Sequence, residues 1–157
     1  MPSKFKSFDH LLEPDPRYKD KLVGKFINCL MEGGKKSTAQ GIFYAAIEEV
    51  KKKVPDKEPA DIFRQAINNV KPMIEVRSRR VGGATYQVPV PVPQKRQISL
   101  AYRWLLAAAR HKKGRPMHLK LADELYAAFR GEGEAMKKRE DVHKMAEANR
   151  AFAHLAY

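Results

Sequence analysis

Cysteine is almost absent from this chain, and several other chemistries are absent with it. A single residue, Cys29, excludes an internal disulfide framework and a cysteine-rich zinc site. It lies in an apolar helical stretch and reads as a small core filler. No apolar run approaches a membrane span, and Met1 to His10 holds no apolar signal-peptide core, so a soluble intracellular protein is expected. His10, His111, His118, His143 and His154 show no metal-ligand spacing, and neither a G-x-S-x-G elbow nor a Cys/His signature occurs. Asp141 and His143 stand two apart on a helical stretch, point to different faces, and read as surface or RNA-contact groups. Gly33-Gly34-Lys35-Lys36-Ser37-Thr38 is not a phosphate-binding P-loop, because Lys35 stands where the second glycine belongs and no strand precedes it. The expectation is a non-enzyme with no metal, no cofactor and no catalytic residue.

Acidic residues are scarce too. Eighteen Asp plus Glu face thirty-one Lys plus Arg, a formal net charge of +13 over 157 residues. A charge that large repels itself unless a polyanion neutralises it. Nucleic acid is the leading partner class, and an anionic membrane surface is second. With 43% hydrophobic residues the chain is globular, and its length fits one domain over residues 1–157.

The apolar residues that are present recur at helical spacing. A first helix is expected with Asp15 as N-cap and Pro16 at its first position, running through Leu22, Val23, Phe26, Ile27, Leu30 and Met31 to Gly33-Gly34. A second starts near Lys35 and carries Ala39, Ile42, Phe43, Ala46, Ile47 and Val50. A third runs from Pro59 to the stop at Pro72. A fourth, after residue 93, places Ile98, Ala101, Leu105 and Ala109 inward and ends at Gly114. Pro116 opens a fifth, closed by Gly131, and a sixth, more polar helix spans about Glu134 to Ala148. The fold class is mainly α: one bundle of about six helices with a protruding two-stranded β-hairpin between the third and fourth. Residues 1–11 read as a flexible basic tail, 73–93 as the ribbon arm and 149–157 as a C-terminal tail.

The ribbon lies in EVRSRRVGGATYQVPVPVP, Glu75 to Pro93. Gly82 and Gly83 signal a tight turn. Arg77 and Arg79 share one face of the first arm, with Arg80 on the other. Tyr86, Val88, Val90 and Val92 share a face of the second arm. Pro89, Pro91 and Pro93 are spaced by two, so their missing donors fall on one edge, which must then face no other strand. An isolated two-stranded ribbon is marginal in water, and support from outside the chain is expected. Its arginines match phosphate, and Tyr86 offers a stacking face. The alternative is a hairpin folded back on the bundle.

Further cations cluster at Lys35 and Lys36 beside Ser37, where the second helix begins; at Lys95 and Arg96, at the ribbon base; at Arg110, Lys112, Lys113 and Arg115; and at Lys137, Lys138 and Arg139. Each alone is an ordinary solvated face. Together they read as a phosphate-tracking surface. Two other readings compete. A DNA-bending architectural protein also uses a basic β-arm, but that class inserts paired arms from a dimer. A membrane-surface binder needs bulky apolar residues opposite its lysines, and the sixth helix has mostly alanine and methionine there.

Three blocks carry a resemblance: GKFINCLMEGGKKSTAQGIFYAA, NNVKPMIEVRSRRVGGATYQVPVPV and MKKREDVHKMAEANRAFAHLAY. Together they resemble bacterial small-subunit ribosomal protein seven, the universal S-seven family, from about Leu12 onward. The resemblance implies a helical bundle with a ribbon after the third helix. It implies a primary binder of 16S ribosomal RNA that nucleates head assembly on the 3′ major domain, with the ribbon near the E-site tRNA and the exiting mRNA. Neighbouring small-subunit proteins of head and platform are the implied protein partners, and the free protein is expected to be a monomer. It assigns rRNA contacts to Lys35, Lys36, Ser37, Arg77, Arg79, Arg80, Lys95 and Arg96, with Lys137, Lys138 and Arg139 in a matching block. It turns Gly82, Gly83, Ala84, Thr85 and Tyr86 toward the tRNA. The implied location is cytoplasmic and ribosome-bound, of bacterial or plastid type. The family's N-terminus is often rich in arginine, whereas MPSKFKSFDH has only Lys4 and Lys6 before Asp9.

Overall fold

Asp20, not Asp15, caps the first helix. The computed structural model describes residues 7–156. In it α1 spans Lys21–Leu30, and the Asp20 carboxylate accepts from the Leu22 N–H at 2.8 Å. Asp15 is buried and serves a preceding turn instead, accepting from the N–H groups of Arg17 and Tyr18 and from the Tyr44 hydroxyl. The reason is local: Lys19 adopts a φ of 52°, in the left-handed region, so the chain cannot run helically from Pro16 into Lys21.

The remaining helices are α2, Lys36–Lys53; α3, Pro59–Val70; α4, Gln94–His111; α5, Met117–Phe129; and α6, Glu134–Ala148. Two 3-10 segments, Asp9–Leu11 and Arg150–Leu155, flank the bundle. The first is pinned by Asp9, which pairs with Lys95 and Lys25; residues 1–6 of the expected N-terminal tail lie outside the described residues. None of the described helices is long and apolar enough to cross a membrane.

Helix α5 packs against α2, α3 and α4 at the centre of the bundle. Phe26, Phe43, Phe63 and Tyr102 meet there with ring centroids 5.2–6.3 Å apart. All four are fully buried, and the Tyr102 hydroxyl donates to the Leu22 carbonyl at 2.8 Å, so burial leaves no orphan donor. Cys29 is a correction to the core reading. It is exposed, because Val23, Phe26, Ile27 and Leu30 define the buried arc of α1 and Cys29 falls outside it.

The hairpin pairs β1, Ile74–Val81, with β2, Ala84–Pro91, antiparallel from Ile74↔Pro91 to Val81↔Ala84. Gly82 and Gly83 close it with φ of 58° and 85°, the two positive angles that a two-residue turn of this hand requires. Among the described residues the sheet has these two strands and no other, in keeping with the proline edge. Part of the ribbon's support comes from within the chain. β1 packs on α6, and β2 packs on the 3-10 segment Arg150–Leu155, where the Tyr86 and Phe152 rings lie 5.3 Å apart. Val88 and Pro89 are buried, so the ribbon's base belongs to the folded body. Nothing in the ribbon's own sequence signals this, because the partner residues are far away along the chain.

Candidate nucleic-acid interface

One ribbon cation, Arg77, is anchored by the fold itself. Glu75 on β1 is buried, and its Oε1 accepts from Arg77 Nε at 3.0 Å and from Arg96 Nε at 2.7 Å. Burial raises the Glu75 pKa, but the Arg96 and Arg77 hydrogen bonds outweigh it and hold the carboxyl below its usual range. One carboxylate thereby fixes a ribbon arginine and a helix arginine side by side. Each uses only its Nε in these bonds, which leaves terminal guanidinium nitrogens for phosphate. Arg80 is exposed and makes no ion pair among the described residues; Arg79 is half-buried on the Tyr86 side of the ribbon. The turn residues Gly82, Gly83, Ala84 and Thr85 are exposed, whereas Tyr86 already has Phe152 as a ring neighbour.

From the ribbon base a line of arginines runs down α4. Arg96, Arg103 and Arg110 are spaced by seven, and seven residues are close to two helical turns, so all three lie on nearly the same face. The line covers about 21 Å at 1.5 Å per residue. Arg103 escaped the sequence reading, as did Lys25. Both line a groove of about 490 Å³ between α1 and α4, together with Ser99, Tyr102, Leu106 and Arg110. The seven-residue period was the signal that could have found Arg103. Lys25 had none, since only the packing of α1 on α4 brings it there.

Arg110 also lines the next cleft, with Lys35 at the start of α2. Its guanidinium is steadied by the Leu30 carbonyl and by Glu32. Helix α2 has no side-chain cap at Lys35; the Lys36 N–H donates to the Gly34 carbonyl at 2.9 Å, and Ser37 follows it in the first turn, at the positive end of the helix dipole. Lys36 is turned aside, its ammonium 2.7 Å from Asn28 Oδ1. Lys95, beside Arg96, pairs with Asp9 at 2.8 Å; the hydrogen bond from Lys95, more than that from Ser7, holds the Asp9 carboxyl at about 2.

The other predicted cations divide. Lys112, half-buried, and Arg115, exposed, both pair with acids of α5. Lys112 Nζ lies 3.2 Å from the buried Glu124, and Arg115 pairs with Asp123. Glu124 also accepts from the Ala135 N–H at 3.0 Å and so ties α5 to the start of α6. Lys113, Lys137 and Lys138 are exposed without an ion pair among the described residues. Arg139 is half-buried on α6, and its Nε is buried without a hydrogen-bond partner. His143 corrects the surface reading: it is half-buried, and its Nε2 accepts from the Met73 N–H at 3.1 Å, pinning the ribbon where β1 begins.

The arrangement is a basic track with an arm at one end. It offers forked donors at intervals along a helix, a shallow apolar floor, and few opposing acids. Forked donors so spaced match the geometry of phosphate oxygens.

The family model for ribosomal protein S7p/S5e matches residues 2–150. The small ribosomal subunit protein uS7 of Pseudothermotoga lettingae is 58% identical over 93% of this chain and 94% of its own length. Its namesake from Rhodopirellula baltica is 60% identical over 91% and 92%, and that of Variovorax paradoxus 55% over 92% of each. On matches this long, the chain belongs to the ribosomal protein S7p/S5e family.

Proposed function

We propose that this protein is a structural constituent of the small ribosomal subunit that binds 16S rRNA through the α4 arginine line and the ribbon. The observation that carries the reading is the continuity of that track: Arg77, Arg96, Arg103 and Arg110 follow one another from ribbon to bundle, with Lys35 beyond. The protein has no catalytic role. It docks by charge and shape, because folded RNA helices present phosphates and 2′-hydroxyls more readily than base edges. Its target is the 3′ major domain, where early binding nucleates the head. The exposed turn of the ribbon, Gly82 to Thr85, reaches toward the E-site tRNA and the exiting mRNA. Proteins of head and platform are its neighbours in the cytoplasmic ribosome, and the free chain is a monomer. Family membership lends no support to a DNA-bending arm.

The test is binding to a 3′ major domain fragment of 16S rRNA across salt, against an unrelated folded RNA and duplex DNA of equal length. The expected result is a preference for the fragment that persists as salt rises, with a slope that becomes shallower in Arg103→Ala. Equal affinities that collapse together with salt would sink the reading and leave only the net charge at work.

A further inference from the structure

A second groove lies on the other side of α4. It has a volume of about 360 Å³ and separates α4 from α6. Its α4 wall is Trp104, Ala107, Ala108 and His111, one face of the helix at spacings of three, four and seven. Its α6 wall is Glu134 and Lys138, one turn apart. Trp104 is half-buried: it packs on the core and also borders the groove. Ala107 and Ala108 are too small to cover the indole. Ala107 also borders the Arg103–Arg110 groove, so a single exposed alanine is all that separates the basic track from the tryptophan.

We infer that this groove is a slot for one unstacked base of the bound RNA, with the Trp104 indole as its stacking surface. The inference rests on the proposed RNA-binding role and adds to it a stacking site for one nucleotide. A strand whose phosphates follow Arg103 and Arg110 passes beside Ala107, within reach of the slot. Every base has an apolar face that stacks on indole, and Lys138 and His111 supply donors for the phosphate or the base edge. Two cationic or donor side chains against the one acid, Glu134, favour a nucleotide over an acidic protein segment.

Trp104 is the only tryptophan in the chain, so its emission reports the slot directly. The full-length protein is titrated with the 3′ major domain fragment of 16S rRNA and, separately, with a fully paired RNA duplex. The fragment is expected to quench Trp104 at saturation, and the duplex, which has no free base, is not. Trp104→Leu weakens fragment binding by about fivefold to about a hundredfold, and Trp104→Phe by much less. The salt slope is unchanged in both, because no phosphate contact is lost. Ala107→Leu places a good helix former at an exposed site and blocks the mouth of the slot. It weakens binding similarly with an unchanged melting temperature, which guards against a Trp104 variant that fails to fold. Specific binding with unaltered Trp104 emission overturns the slot and leaves the RNA-binding role standing. Equal quenching by the duplex, or a change that appears only when other subunit proteins are added, also overturns it. Loss of all preference for the fragment removes the RNA-binding role and the slot together.

Discussion

The Glu75 carboxylate lies 2.7 Å from Arg96 Nε, although twenty-one residues separate them in sequence. This contact, shared with Arg77, couples the first ribbon strand to the first turn of α4. Replacing Glu75 with Ala is expected to cost about 1–2 kcal/mol, a value reduced because both arginines are partly solvated. Since the folded-state pKa of Glu75 is lowered, its contribution is whole above the ordinary value of 4.5 and is lost as pH falls through the folded value. Urea titrations of wild type and Glu75→Gln should therefore differ at neutral pH and converge in acid. A constant difference across that range would show that the carboxylate charge does not matter.

His143 makes a prediction of opposite chemistry. Burial first, and Arg139 second, hold its imidazole below the usual 6.5, and the neutral ring is the form that accepts from the Met73 N–H. Because the folded pKa lies below the unfolded one, the anchor is complete above pH 6.5 and weakens as pH falls from there. Exchange protection of the Met73 amide, corrected for intrinsic rate, should hold above pH 6.5 and drop as pH falls below it. In His143→Ala it should be low throughout. Protection that stays flat in the wild type argues against the imidazole as anchor.

The Tyr86–Phe152 contact predicts local loosening without global unfolding. Aromatic pairs of this kind contribute roughly 0.5–1.5 kcal/mol beyond their burial. Phe152→Ala should lower exchange protection in β2 by up to about tenfold, while the melting temperature of the bundle, whose core it does not enter, stays put. A fall in melting temperature with β2 protection intact would mean that Phe152 supports the bundle and not the ribbon.

Elements governed by neighbours along the chain were legible in the sequence. The Gly82-Gly83 turn, the proline edge and the bounds of α3 and α6 follow from backbone chemistry a few residues long. Asp15 misled because the N-cap signal is shared by turns, and the left-handed Lys19 that decides between them has no sequence mark. Cys29 misled because it adjoins apolar residues without sharing their face. Glu124 has no mark in the sequence that separates it from an exposed charge; its burial is accommodated by Lys112 and the Ala135 N–H arriving from other elements. The basic clusters named residue types, but not which of them also pair with acids of the fold, as Lys112 does with Glu124 and Arg115 with Asp123. Arg103 supplies what the track lacked. Only three-dimensional packing separates cations that hold the protein together from those that face outward.

The ribbon is clasped by residues made late. Met73 waits for His143, seventy positions downstream, and Tyr86 waits for Phe152. During synthesis, then, the three helices ahead of the arm and the arm itself emerge before their brace exists. The bundle can close once its central helix α5 has appeared, but the arm can take its final angle only when α6 and the segment after it have been added. A nascent chain that stalled between those points would display an organised body and an untethered hairpin. Correct aim of the arm thus certifies that synthesis has passed Phe152.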